Sequence, residues 1–279
     1  MAGTLFVVAT PIGNLEDITM RALRVLRDAN LVAAEDTRRT AKLLSHYGIP
    51  TPTLSFHAHN SRARLPQLLG RLERGESVAL VTDAGTPGIS DPGVELVAAC
   101  RERGIAVDPI PGASAALLAA VASGFPLNSV TFLGFPPLKA KDRTAWFLAL
   151  AQSQHAVVFF ESPHRVVSTL EELGKCLLER RICVAREMTK THQEFRIGAA
   201  NDPEFLSINQ KGEFTLVVAP VEAGSATPPD VDDDSIVAAF LAFEGNCAAG
   251  GKRRAISQVA RNLGISANEV YRAIERAKL

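Results

Sequence analysis

Residues 83 to 93 read DAGTPGISDPG, eleven positions that, Ile89 apart, are all Gly, Ala, Pro, Asp, Ser or Thr. They follow VALVT, a β-branched run that reads as a buried strand. Small residues after a strand let backbone N–H and C=O groups approach a ligand with no Cβ in between. No P-loop motif and no GxGxxG turn occurs in the chain, which disfavours a nucleoside triphosphatase and the usual dinucleotide site. Four more loops of similar character each follow a predicted strand: ATPIGNLEDIT (9–19), AAEDTRRT (33–40), PIPGASAA (109–116) and FFESPHRV (159–166). Ligands of α/β sheets bind beyond the carboxyl ends of strands, so these loops point to one shared cleft.

The charged residues in these loops have two readings each. Glu35, Asp36 and Arg38 sit where a catalytic group or a nucleic-acid contact belongs, yet Asp36 is also a natural helix N-cap, with Glu35 favourable near the dipole's positive end. His164 and Arg165 are functional candidates in SPHR, although Ser162 as a cap and Pro163 in a first helical turn would explain the same string structurally. Arg186 and Lys190 in AREMTK are candidates for gripping phosphates, or a solvated face. His57 and His59 in FHAHN lack a third ligand, so no metal is expected.

Eight short β-branched runs supply the strands that carry these loops: 5–9, 31–34, 78–81, 106–110, 130–133, 156–160, 182–185 and 214–219. They alternate with amphipathic stretches such as 20–28, 63–74 and 94–103, a pattern that predicts α/β architecture with largely parallel sheet. With 279 residues, 47% of them apolar, the chain is long enough for more than one domain. The rhythm pauses at Gly124-Phe125-Pro126, so the expected division is an α/β domain over 1–122 and a second over 123–221. Residues 222–234, EAGSATPPDVDDD, hold five acids and little to bury, and read as a linker.

From 235 to 279 a helical module is expected. Apolar Val259, Ala260, Leu263, Ile265, Val270 and Ile274 surround Gly264, and Ser266 with Glu269 forms a capping box, which is helix-turn-helix spacing. Between Gly251 and Leu279 seven bases, Lys252, Arg253 and Arg254 among them, face two acids. The formal net charge of the whole chain is zero, so attraction to nucleic acid must be local; this module fits phosphate-backbone binding, and a small helical cap with solvated charges is the other reading. Cys100, Cys176, Cys183 and Cys247 show no CxxC spacing and read as reduced core residues. The N-terminus lacks a signal-peptide pattern and no run approaches 18 apolar residues, so a cytoplasmic protein without a membrane partner is expected.

The succession ATPIGNLEDIT, AAEDTR, VTDAGTPGISDPG, PIPGASA, FLGFPP, FESPHR, AREMTKTHQEF and GEFTLVV, from about Thr4 to Val218, resembles the ribosomal-RNA branch of the tetrapyrrole methylase family. The resemblance implies a two-domain tetrapyrrole-methylase-like α/β fold with S-adenosyl-L-methionine in the interdomain cleft of a homodimer. It also implies 2′-O-methylation of a cytidine in the decoding centre of 16S rRNA, with the small ribosomal subunit as partner. Carried over position by position, the donor contacts it implies are Asp83, Ala84, Gly85, Thr86, Ile89, Ser90, Asp91, Ser114, Ala115, Phe135, Glu213, Phe214 and Thr215. Pro11 joins them in the first loop, where the tetrapyrrole enzymes carry a glycine-proline turn. A ribose hydroxyl is a weak acid, and Glu35, Asp36, His164, Arg165, Glu187 and Lys190 are the candidates to take or offset its proton. Two other readings remain open: methylation of a small tetrapyrrole on the same fold, and a helix-turn-helix DNA-binding regulator.

Overall fold

A computed structural model describes residues 2–221 and, beyond them, residues 233, 236–237, 240, 255–256, 259–260 and 267–277. Two compact units result, residues 1–220 and 221–279.

The first unit contains two five-stranded sheets. One has the order β3-β2-β4-β1-β5, from Thr53–Ser55, Leu31–Ala34, Val78–Val81, Thr4–Val8 and Ala106–Ile110, and every pairing in it is parallel. All four residues of β2 and of β4 are buried, as strands covered on both faces require. Helix α1 (Met20–Asp28) shows how the crossovers close on this sheet. The Thr19 hydroxyl caps it by accepting from the Ala22 N–H at 3.0 Å, and Ala22, Val25 and Leu26 turn one face inward. Helices α2 (Thr37–His46), α3 (Ser61–Glu73) and α4 (Val94–Glu102) follow β2, β3 and β4.

The second sheet runs β6-β7-β10-β8-β9, from Val130–Phe132, Ala156–Glu161, Phe214–Val218, Arg181–Arg186 and Glu194–Ala199. Only β6 and β7 pair in parallel; the other three pairings are antiparallel. The expectation of parallel strands thus holds for the whole first sheet and for one pair of the second. Helices α6 (Ala140–Ala151) and α7 (Val166–Leu177) precede and follow β7, and side chains from both join the core of this sheet. Helix α5 (Ala115–Ala122) precedes residue 123 in the chain but packs on β7 and β10 of the second sheet.

The two sheets meet in an apolar joint. Ile12, Ala119, Ala120 and Phe125 are buried there against Val158, Cys183, Ala185, Met188 and Val217. Strands β3 and β9 lie outside the eight runs read from the sequence. At three residues β3 gives no periodicity to detect, whereas the alternation in EFRIGA was available as a signal.

In the second unit Ile236, Phe240, Ile256, Val259, Val270, Ala273 and Ile274 form one core, and α8 (Ala267–Arg276) begins directly after the proposed cap. Lys252, Arg253, Arg254, Cys247, Gly264, Ser266 and residues 222–232 of the expected linker lie outside the described residues. Among those described, no helix is long and apolar enough to cross a membrane.

Candidate active site

The cleft lies where the carboxyl ends of β1, β2, β4 and β5 face the end of β7 and the start of β10. Phe214 pairs with Glu161 across the antiparallel β7/β10 ladder, which brings residues 160–163 and 213–215 to the same edge. From the other side come Ile12 after β1, Glu35 after β2, residues 83–86 and 89–91 after β4, and Ser114 and Ala115 at the start of α5. The enclosed volume is about 380 Å³, within the range of small-ligand sites.

The bare loop after β4 owes its composition to backbone geometry. Gly85 has φ +82° and exchanges two hydrogen bonds with Thr10, at 2.9 and 3.0 Å, so it pins the first loop to the fourth in a conformation that strains any other L-residue. Gly93, at φ +130°, sits against Leu80, whose Cδ2 would lie 2.7 Å from an added Cβ. Ser90 takes φ +63° without being glycine, a local strain of the kind that gathers at ligand sites.

The walls are apolar at Ile12, Ala84, Ile89, Ala115, Phe135, Phe160 and Phe214. Phe135 and Phe160 pack with ring centroids 5.5 Å apart, leaving a half-exposed aromatic surface at the mouth. The polar lining is predominantly acidic: Glu35, Asp83, Asp91, Glu161 and Glu213 against the single base Arg39. Asp83 organises the β2 side. Its N–H donates to Glu35 Oε2 at 3.3 Å, its Oδ1 accepts from the Asp36 N–H at 3.1 Å, and its Oδ2 lies 3.4 Å from Arg39 Nη1. Burial foremost, with the nearby charges of Glu35 and Asp83, pushes the Asp91 carboxyl up to about 6, against a weaker opposing contact from the Thr82 hydroxyl.

Glu161 is the most enclosed charge at the rim. Its side chain is 0% exposed, and it accepts from the Ser162 N–H at 2.6 Å, the Thr169 hydroxyl at 2.6 Å and Arg165 Nη2 at 2.9 Å. A second guanidinium, Arg143, stands 3.8 Å from its other oxygen. These contacts set the path of residues 162 and 163 along the cleft.

Thirteen of the fourteen positions expected to touch a donor line this cleft: Asp83, Ala84, Gly85, Thr86, Ile89, Ser90, Asp91, Ser114, Ala115, Phe135, Glu213, Phe214 and Thr215. Pro11 lines a smaller adjoining cavity instead, because the Thr10–Gly85 bridge turns the first loop away and leaves Ile12 on the cleft wall.

The expected catalytic residues divide. Glu35 lines the cleft. Asp36 caps α2, accepting from the Arg38 N–H at 2.8 Å, and it also binds the Arg38 side chain at 3.1 and 2.7 Å. These bonds hold its carboxyl far below the usual carboxylate range, and the Arg38 side chain is otherwise exposed. His164 is exposed outside the cleft, and Arg165 is a clamp on Glu161. Ser162 is not a helix cap: α7 starts at Val166, and the Ser162 hydroxyl accepts from Arg165 Nε at 3.1 Å.

The two described phosphate candidates are also engaged within the fold. Arg186 is buried in β8 with Nε 3.0 Å from Glu194 and Nη1 3.1 Å from the Lys211 carbonyl, so it braces the sheet. Lys190 binds Glu187 at 2.8 Å and Glu213 at 2.9 Å, tying the loop after β8 to the start of β10. Residues that sequence reasoning passed over are Ile12, Arg39, Phe160 and Glu161, which line the cleft, and Arg143 behind Glu161. Glu161 and Arg39 stood inside quoted loops, but nothing local distinguishes a buried acid from a solvated one.

Two α/β sheets that enclose a glycine-rich, acidic and apolar cleft at their strand ends define a small-ligand-binding enzyme fold. The model of the tetrapyrrole (corrin/porphyrin) methylases matches residues 4–203, and the chain belongs to this family of methyltransferases. Ribosomal RNA small subunit methyltransferase I of Synechocystis sp. is 48% identical over 231 residues, 82% of this chain and 81% of that protein. The enzyme of the same name from Halalkalibacterium halodurans is 42% identical over 272 residues, 96% of this chain and 93% of its own. Among solved structures, uroporphyrin-III C-methyltransferase from Thermus thermophilus complexed with S-adenyl homocysteine shares the fold at a TM-score of 0.56 and 16% identity, covering 78% of this chain and 97% of that one.

Proposed function

We propose that this methyltransferase transfers a methyl group from S-adenosyl-L-methionine to the 2′-hydroxyl of a cytidine in the decoding centre of 16S rRNA, acting on the small ribosomal subunit in the cytoplasm. The observation that carries the reading is 48% identity, over 82% of the chain, to a protein named for methylation of small-subunit rRNA.

The cleft fits the donor chemically. A sulfonium bearing an amino-acid tail is cationic, and the lining offers the carboxylates of Glu35, Asp83 and Asp91 against Arg39, with Glu161 and Glu213 already paired to Arg165 and Lys190. Adenine needs an apolar slot, which Phe135, Ile89 and Ala115 provide, and the bare backbone of residues 83–86 suits a polar tail. Bound there, the donor supplies an activated methyl group for in-line displacement. The chain's own task is to align the acceptor oxygen and receive its proton. Of the candidate bases, Glu35 lines the cleft, and Asp91 joins it from the β4 loop. These two carboxylates line one cleft, the Glu35 charge is one cause of the raised Asp91 carboxyl, and they are proposed to receive that proton.

Incubation with labelled S-adenosylmethionine and small subunits lacking the modification is the direct test. Label mapped to the 2′-oxygen of a 16S rRNA cytidine supports the reading; label on a base, or transfer only to a tetrapyrrole, overturns it. The basic tail, with Lys252, Arg253 and Arg254, is proposed as a further contact to the rRNA backbone.

A homodimer belongs to the same proposal. Helix α5 buries Ala119 and Ala120 but leaves Leu117 67% and Val121 71% exposed, with Leu118 half-exposed beside them. An apolar helix face of this kind marks an interface. The double variant Leu117→Asp, Val121→Asp is expected to sediment as a monomer at concentrations where the unaltered chain is a dimer. A monomeric unaltered chain in light scattering refutes this part.

A further inference from the structure

We infer that the smaller cavity beside the cleft, walled by Arg39 and Lys42 of α2, is a phosphodiester subsite that seats the backbone of the acceptor RNA. The inference rests on the RNA reading above and assigns to this cavity the step of holding the acceptor strand.

The cavity, about 140 Å³, is bounded by Thr10, Pro11, Leu15, Arg39, Lys42 and Asp83, among others, and shares Arg39 and Asp83 with the main cleft. Its charge balance is the reverse of its neighbour's. The main cleft presents Glu35, Asp83 and Asp91 against Arg39, its other acids Glu161 and Glu213 being paired with Arg165 and Lys190, whereas this cavity carries two bases and one acid. A cationic donor and an anionic acceptor strand must lie side by side for methyl transfer, and adjoining pockets of opposite sign meet that requirement. The connection is covalent as well: the carbon next to C2′ carries the 3′-phosphodiester, so an acceptor hydroxyl aimed into the cleft brings a phosphate to its rim. Arg39 is the base on that shared wall.

Helix α2 carries two bases in its first turn behind the Asp36 cap. It opens TRRTAK, with no acid in its first turn, although positive charges near a helix N-terminus are unfavourable. Asp36 offsets Arg38 with two side-chain hydrogen bonds. Arg39 has no such commitment: its side chain is 64% exposed and touches Asp83 through one contact of 3.4 Å. An exposed ion pair of this length contributes little and gives way readily to a phosphate. Glu35, Asp36 and Asp83 are the acids nearby; Asp36 is paired with Arg38, Glu35 lines the donor side, and Asp83 lines both cavities and is the carboxylate a phosphate would displace from Arg39. Thr40, between the two bases in sequence, is buried, so the helix holds both cations on its outer side.

The test uses the full chain with Arg39→Gln, Arg39→Lys and Lys42→Gln, assayed for methyl transfer to unmodified small subunits over a range of subunit and salt concentrations. Donor affinity is measured separately by calorimetry. Arg39→Gln should raise the subunit KM about tenfold or more, the loss expected for one charge-assisted contact. Lys42→Gln should raise it less. Each lost contact should make the log–log salt dependence of subunit binding shallower by about 0.7, as for a single strand, and Lys42→Gln, whose residue lies outside the donor cleft, should leave donor affinity unchanged. Arg39→Lys should recover part of the KM. Unchanged KM and salt slope in both Gln variants overturn the subsite while leaving the rRNA reading standing. Weakened donor binding with unchanged subunit KM overturns it too, making Arg39 a donor contact. Failure of the unaltered chain to methylate subunits removes both proposals together.

Discussion

Glu161→Ala is expected to lower the melting temperature of the folded chain by roughly 6–20 °C. Removing one partner of a buried ion pair costs about 3–5 kcal/mol, and each kcal/mol moves Tm by about 2–4 °C in a unit of this size. The environment makes Glu161 such a case. Its carboxylate has no exposure, and it satisfies Arg165, the Thr169 hydroxyl and the Ser162 N–H at once. Alanine leaves Arg143, itself nearly buried, with Glu172 at 3.1 Å, the Thr169 hydroxyl at 2.7 Å and the Phe147 ring 5.0 Å away. Glu161→Gln keeps the shape and can still accept hydrogen bonds, so its loss should be smaller. Calorimetric melting of both variants checks the order. A shift under about 1 °C for alanine would show that water or rearranged neighbours replace the carboxylate.

This prediction rests on a residue that sequence inspection did not select. In FESPHR the histidine and arginine drew attention because their side-chain chemistry is versatile, while Glu161 passed as one acid among thirty acidic residues. Whether a charge is buried depends on strands far apart in sequence, here β7, β10 and the start of α7, and no local pattern records it. The bare loop after β4 was legible for the opposite reason. Backbone conformations with positive φ restrict residue type directly, so DAGTPGISDPG announces its geometry in composition alone. Buried strands such as LVAA and VALV were legible in the same way, through continuous apolar runs. The antiparallel half of the second sheet was not, because parallel and antiparallel partners draw on the same apolar residues and differ only in the connection. For Asp36 both readings had been visible; the hydrogen bonds to Arg38 place it at the helix end.

Asp91→Asn is expected to reduce methyl transfer by about 10²–10⁴-fold, the usual weight of a general base, while making the protein more stable at neutral pH. The two effects have one origin. Burial, reinforced by Glu35 and Asp83, raises the Asp91 carboxyl from 3.8 to about 6, so the folded chain binds this proton more tightly than the unfolded chain does. The contribution to stability is therefore full below pH 3.8 and is lost as pH rises through about 6. Above that point the ionised carboxylate is held at a cost of order 1 kcal/mol, after allowance for solvent at a half-buried site. Asparagine removes the charge, and the variant should gain that amount at pH 7–8 and show a flatter stability profile between pH 4 and 6. Activity should follow the other side of the same titration. In the unaltered enzyme, kcat/KM should fall about tenfold per pH unit below about 6, as expected when one ionised base is required in the free enzyme. The Asn variant should lose that limb and retain only a low, pH-insensitive rate. A variant that is stabilised yet fully active, with the acidic limb intact, would leave the proton to Glu35 and return Asp91 to holding the donor.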